Sequence, residues 1–176
     1  PGGRSIVTEA ELLEVANRLL RAEGRAPAAS LPALVGGDGQ AVCTWSMLDP
    51  YAEHRTEPGL GPIDATPALR PVPKGEPTWF AYVAADSPMA KPLIEGMLAA
   101  KTRGSAFIRK ADDALEARFR DAGHVLHRNV PALEAMLATS SMIIHHGGIN
   151  TAECALAMGV PQLVVSRHLE QHLTGN

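Results

Sequence analysis

The second half of the chain alternates short apolar runs with helical patterns, and that alternation admits few folds. The runs are "TWFAYVAA", "SAFIRK", "HVLHRN", "SMIIHH" and "QLVV". Between them lie "SPMAKPLIEGMLAAKTRG", which a helix closing near Gly104 would fill, then "ADDALEARFRDAG", "PALEAMLATS" and "TAECALAMG". The runs are rich in aromatic, β-branched or aliphatic residues and too short for helices, whereas the intervening segments space their apolar residues along one helix face. A strand, a helix and a strand joined by short connections form a crossover, which makes successive strands parallel. The expected fold class is therefore α/β, a Rossmann-like parallel sheet with helices on both faces, over residues 78–176.

What precedes the sheet cannot fold into a domain of its own. "TEAELLEVANRLLRAEG" reads as an amphipathic helix, capped by Thr8 with Glu11 three residues on and stopped at Gly24. A strand is expected from about Ala41 to Thr44, between a glycine turn and Pro50. One helix and one strand bury no core, so residues 1–56 read as the remnant of an N-terminal domain. Residues 57–77, "EPGLGPIDATPALRPVPKGEP", carry many of the 14 prolines and read as an interdomain linker.

Composition narrows the function classes. A length of 176 residues with 45% hydrophobic content suits one domain, or one domain and a piece of another. No apolar run approaches the roughly 18 residues of a membrane-spanning helix, and "PGGRSIVTEAELL" has no secretory leader, so neither membrane insertion nor secretion is expected. The initial Pro1 suggests a segment of a longer protein. A net charge of -3, without a basic run interleaved with aromatics, argues against nucleic acid. Cys43 and Cys154 are far apart with no metal spacing, which fits small apolar fillers in a reducing, cytoplasmic setting.

The chemistry concentrates in "MIIHHGGINTAE". Ligands of open α/β sheets sit beyond the carboxyl ends of the strands, and this is a strand-to-helix turn. Gly147 and Gly148 let the backbone approach a ligand, Asn150 and Thr151 can cap the following helix, and the free N–H groups there attract an anion, most simply a phosphate or diphosphate. A glycine pair also makes a tight turn with no ligand. Of His145 and His146, alternation on the strand end sends one toward a sheet neighbour and the other toward the crevice, where an imidazole can donate a hydrogen bond. Alternation alone does not decide which of the two it is.

"HHGGINTAECALAMGVPQLVVSRHLEQ" resembles the donor-binding signature of two-domain GT-B glycosyltransferases that use nucleotide sugars, the macrolide, antibiotic and plant UDP-glycosyltransferase family. Upstream, "CTWSMLDPY" with "GLGPI" is similar to the join between the two domains in bacterial members. The resemblance implies that His146, Gly147, Gly148, Asn150 and Thr151 surround the donor diphosphate, that Glu170 and Gln171 bind hydroxyls of the donor sugar, and that Val130 and Pro131 belong to a loop holding the base. It thereby makes His146 the expected contact and His145 the expected structural partner. It also implies a UDP- or dTDP-sugar donor, a small hydrophobic acceptor, inverting transfer, and no cofactor. Departures are present. Members often carry a ribose-binding Glu at the place of Cys154, with Glu153 here one position early; Ser166 replaces a frequent proline; and "AADSP" replaces a glycine-serine after the first strand, where Asp86 or Ser87 reads more simply as a helix cap followed by Pro88.

The base that deprotonates an acceptor is, in that family, a histidine early in the N-terminal domain, so no catalytic residue is assigned in this chain. Helices that close the domain beyond "LEQHLTGN" are also expected elsewhere, which makes residues 78–176 a donor-binding domain cut short. The alternative is a non-catalytic nucleotide-sugar-binding module or a split GT-B subunit. "HLEQH" does not match the zinc spacing HExxH, because Glu170 is displaced by one. His124 and His127 read as strand-end surface residues.

Overall fold

A computed structural model describes residues 7–37, 39 and 41–174, apart from the side chains of Glu170 and Thr174. The chain divides into two compact units, Pro1–Ala41 and Val42–Asn176.

In the first unit, α1 (Glu9–Ala22) starts with a complete capping box: Thr8 Oγ1 accepts the Glu11 N–H at 3.3 Å, and the Glu11 carboxylate accepts the Thr8 N–H at 2.6 Å. The Asn17 amide then bonds both backbone groups of Ala28, at 3.0 and 2.7 Å, folding the chain back along α1. Ser30 caps the short α2 (Leu31–Val35). None of the residues of α1 is buried, and Leu19 is 64% exposed, as expected of a helix without a core of its own.

The second unit opens without the expected strand. Val42 makes a single parallel bridge with Gly59, and two short 3-10 turns follow at Ser46–Leu48 and Ala52–His54. The reason is a partner distant in sequence. The Thr44 hydroxyl and the Trp45 N–H both bond the carboxylate of Glu153, at 2.6 and 3.2 Å, instead of a neighbouring strand. Residues 60–77 form no helix or strand, yet they pack: the Arg70 N–H donates to the Met158 carbonyl at 3.3 Å, and Leu69 lies where a Cβ on Gly159 would stand, at 2.7 Å.

Five strands form one parallel sheet in the order β3-β2-β1-β4-β5: β1 (Trp79–Ala84), β2 (Gly104–Arg109), β3 (Val125–Leu126), β4 (Met142–His145) and β5 (Gln162–Val164). Pleating sorts the core into two layers. Trp79, Ala81 and Val83 meet α3 (Ala90–Leu98) and α4 (Asp113–Asp121) through Ile94, Met97 and Phe119. Phe80 and Ile143 meet α5 (Leu133–Thr139) and α6 (Ile149–Ala157) through Leu137, Ala155 and Met158. A last helix, α7 (Leu169–Thr174), follows β5. Among the described residues no helix is long and apolar enough to cross a membrane.

Three expectations need correction. Helix α3 begins at Ala90, beyond the expected cap, with Met89 before it and no side-chain cap, because Asp86 is engaged by cations instead. It ends at Leu98, and Gly104 opens β2 rather than closing the helix. His124 is not at the surface: it is 6% exposed, its Nδ1 accepts the Gly104 N–H at 3.3 Å, and its ring packs 5.1 Å from that of Trp79.

Gly104 is there for Trp79. A Cβ would stand 1.9 Å from the indole, whose Nε1 is tied to the Thr102 carbonyl at 3.1 Å and cannot turn away without losing that bond. Gly104→Ala should destabilise the unit by about 1–3 kcal/mol through overpacking. Urea denaturation measures it, and a variant as stable as the parent would refute this packing.

Candidate functional site

The chain runs from β1 outward to β2 and β3, then crosses to β4 and β5 on the other side of β1. The carboxyl ends of β1 and β4 are therefore the topological switch point, where adjoining loops part and leave a crevice. Ala84 to Asp86 lie at one lip and His145 to Gly148 at the other.

His145 is 1% exposed. Its Nδ1 accepts the Gly147 N–H at 3.1 Å, which leaves the proton on Nε2 to donate to Gln162 Oε1 at 2.8 Å. The Gln162 amide in turn donates to the Ala152 carbonyl of α6 at 3.3 Å. A side-chain relay thus joins β4, β5 and α6, and His145 is a structural partner, as expected.

His146 is also committed, and here the structure departs from expectation. Its Nε2 accepts the Ala84 N–H at 2.9 Å, so its Nδ1 carries the proton and donates to the Val165 carbonyl at 2.8 Å. Both ring nitrogens are used by neighbouring strands, and neither is left to donate to a ligand. One residue past the end of β4 the imidazole does what a peptide group does within the sheet. Burial pushes the pKa of His145 down, and for His146 burial acts first, with Arg167 and Arg109 adding repulsion.

At the turn itself Gly147 has φ +84, and a Cβ would meet the Gln171 carbonyl at 2.8 Å and Val164 at 2.9 Å, so only glycine fits. Gly148 is the N-cap of α6, with no side-chain cap bond and open space where a Cβ would be. Asn150 and Thr151 are not caps, because the helix begins at Ile149 and they lie within its first turn. Among the described residues no side chain caps the N–H groups there, and the helix dipole adds a partial positive charge.

Two cavities flank that turn. The smaller, about 230 Å³, is lined by His146, Gly148, Thr151 and Gln171, together with Arg109 and Arg167. The larger, about 760 Å³, is lined by Asn150, Glu153 and Cys154, by Ala132 and Leu133, and by residues 62–67 and Trp45. Val130 and Pro131 directly precede this wall without lining either cavity. Gln171 bonds the Arg167 N–H through Oε1 at 2.9 Å, which leaves its amide donors to the cavity. The side chain of Glu170 lies outside the described residues. Cys43 and Cys154 both face the larger cavity, and burial raises the Cys154 thiol pKa, with Glu134 adding to it, so that thiol stays protonated.

Two features escaped the sequence reading. Glu153 is 6% exposed, and its Oε1 accepts from both Thr44 and Trp45, so it anchors the strand-free opening segment to α6. Asp86 gathers Lys110 at 2.7 Å, Arg167 at 3.1 Å and Arg109 at 3.5 Å. The signal for the second was present as cations directly after two apolar runs, in "FIRK" and "VVSR".

The comparisons bear on what such a turn serves. The chain matches no family model. A 49-residue stretch is 53% identical to the aclacinomycin-T 2-deoxy-L-fucose transferase of Streptomyces galilaeus, covering 25% of this chain and 11% of that protein. The glycotransferase of kitacinnamycin superposes over 94% of this chain and 46% of its own, with a TM-score of 0.66 and 20% identity. The fold is that of one half of a GT-B glycosyltransferase. The glycosyltransferase VinC, solved in complex with dTDP, agrees, with a TM-score of 0.58 at 19% identity over 93% of this chain and 42% of that one. This half-fold spans less than half the length of either solved glycosyltransferase.

The neutral imidazoles have a pH consequence. Folding holds both pKa values below the ordinary 6.5 or so, and the unfolded chain therefore takes up protons first as pH falls. Their contribution is whole above about pH 6.5 and is lost progressively below it. Stability in urea should be lower at about pH 5.5 than at about pH 7.5, with His145 contributing to the difference. If His145→Gln leaves the pH dependence unaltered, that assignment is wrong.

Proposed function

We propose that this chain is the donor-binding part of a glycosyltransferase that transfers a sugar from a UDP- or dTDP-sugar to a small hydrophobic acceptor with inversion. The observation that carries the reading is the uncapped first turn of α6 at the switch point, with Gly148, Thr151, His146 and Gln171 around one cavity and Asn150 on the next. Fold likeness alone would not distinguish a transferase from other nucleotide-binding proteins of this architecture. Support for a diphosphate comes from the site: a helix N-terminus, two glycines and cations at the cavity mouth all favour spread negative charge.

In this reading the diphosphate lies across the first turn of α6, bound by backbone N–H groups from Gly148 onward and by the Thr151 hydroxyl. Gly147 contributes shape rather than a donor, since its N–H belongs to His145. His146 borders the diphosphate and fixes the turn while its nitrogens stay with Ala84 and Val165. The base occupies the larger cavity behind the loop of Val130 and Pro131, in whose wall Glu153 is held through Oε1 by Thr44 and Trp45. Gln171, and with it Glu170, binds hydroxyls of the sugar.

Transfer then needs three things from this half. It must hold the anomeric carbon in line with the acceptor oxygen, exclude water, and stabilise the charge that grows on the leaving diphosphate as the glycosidic bond breaks. The helix N-terminus and the cations serve the last. A base for the acceptor hydroxyl is assigned to a domain preceding this one, with residues 1–56 its end, 57–77 the linker, and 78–176 the donor domain.

Gly148→Asp separates binding from folding. Space is open at its Cβ, its φ of -62° suits any residue, and an aspartate caps a helix as well as glycine or better. Stability should be unchanged or higher by a few tenths of a kcal/mol, while UDP or dTDP affinity falls at least about tenfold, because a fixed carboxylate takes the anion's place. Titration calorimetry reads the affinity. If neither nucleotide binds the parent chain, or the variant binds as well as the parent, the diphosphate reading fails.

A further inference from the structure

The cations around Asp86 are more numerous than one carboxylate requires. Lys110 Nζ lies 2.7 Å from Oδ2, Arg167 Nη2 3.1 Å from Oδ1, and Arg109 Nη2 3.5 Å from Oδ1. Arg109 ends β2, Lys110 follows it, Arg167 follows β5 and Asp86 follows β1, all at the same edge of the sheet as the N-terminus of α6. Arg109 and Arg167 line the smaller cavity, and none of its lining residues is acidic.

We propose that Arg109, Lys110 and Arg167 form an anion subsite at the mouth of the smaller cavity, one that takes a phosphate group, and that Asp86 occupies it as an internal competitor. The inference rests on the donor-binding reading in one respect, that the phosphate is the distal one of a nucleoside diphosphate. The cations themselves are independent of it.

Four observations carry the proposal. The cluster has an excess of positive charge, three cations to one carboxylate. The Arg167 Nε is buried and has no partner among the described residues, and Arg109 approaches Asp86 only at ion-pair distance, so both guanidinium groups have donors to give. Lys110 has φ +65, the one non-glycine residue with positive φ among those described, a conformation that costs energy and that sets its side chain beside Asp86. Finally, two of the three cations are largely exposed, with Arg109 and Lys110 side chains 57% and 65% accessible against 19% for Arg167, so those two pairs contribute little to stability. An arrangement strained in its backbone and weak as a structural tie is suited to exchange one anion for another. Asp86 stays ionised throughout: the hydrogen bond from Lys110 lowers its pKa, with Arg167 and Arg109 adding to the effect.

The exchange involves no covalent step. A phosphate oxygen enters among the three cations, and the Asp86 carboxylate turns out toward water, where it is readily hydrated. Asp86 thereby tempers the affinity for the anion, which favours release of a bound diphosphate.

The test is calorimetric titration of the chain with inorganic pyrophosphate, UDP, dTDP and thymidine, using the parent, Asp86→Asn, Asp86→Ser and Arg167→Gln. Removing the competitor should tighten pyrophosphate binding about fivefold, the scale of one exposed charge contact. Arg167→Gln should weaken it by a similar factor, and thymidine should respond to neither. Either Asp86 variant suffices if the other folds poorly, as judged by its melting temperature. Pyrophosphate affinity that is unchanged or weaker in the Asp86 variants overturns the proposal, as does a fall in melting temperature without tighter binding. If pyrophosphate behaves as stated but UDP and dTDP bind no better than pyrophosphate, the subsite stands and the donor reading falls. If the nucleotides bind but no Asp86 variant alters their affinity or that of pyrophosphate, the donor reading stands and the subsite falls.

Discussion

The imidazole of His146 holds the site edge of the sheet together. Backbone pairing between β1, β4 and β5 runs out at their carboxyl ends, and there the ring accepts from Ala84 and donates to Val165, tying three neighbouring strands through one side chain. Everything placed at the switch point depends on that edge. The lip after β1 leads to Asp86, the stretch after β5 leads to Arg167, and the turn after β4 leads into α6. A ring so engaged is neutral and has no donor to spare. The charge complementarity of the crevice has to come from elsewhere, and the first turn of α6 and the cations beside it supply it.

The second histidine shows the same economy of roles. His145 takes the Gly147 N–H and passes the connection through Gln162 to α6, so the turn between β4 and α6 is braced from within. Bracing explains why Gly147 can keep a positive φ against Gln171 and Val164 while Gly148, one residue on, is open in front. One glycine is required by packing. The other leaves room for a ligand. Glu153, on the same helix, has one carboxylate oxygen bonded by both Thr44 and Trp45, which ties the opening segment to the wall of the larger cavity.

The fold was legible because its signal is periodic. All five strands and the helices between them follow from apolar runs and helical spacing, and a crossover topology follows from their alternation. What escaped the sequence depends on long-range partners. Asp86 before Ser87 and Pro88 looks like a helix cap, and nothing local reveals that Lys110 and Arg167, distant in sequence, will claim it. His124 looks like a strand-end residue until Trp79 and Gly104 enclose it. The residues 41–44 look like a strand, and a carboxylate of α6 takes the hydrogen bonds that a strand would have used. For the site, the turn and its glycines were readable, and His146 was placed at the right edge. The commitment of its two nitrogens was not readable, since both partners lie on other strands.

In the function proposed, a diphosphate binds the backbone of the first turn of α6 while His146 remains a neutral strut. Heteronuclear NMR of the chain titrated with UDP or dTDP tests it directly. The amide signals of Gly148, Ile149, Asn150 and Thr151 should move most, and the His146 ring nitrogens should keep the pattern of a neutral imidazole protonated on Nδ1. Amide shifts that avoid this turn, or a His146 ring that becomes cationic on binding, would contradict it.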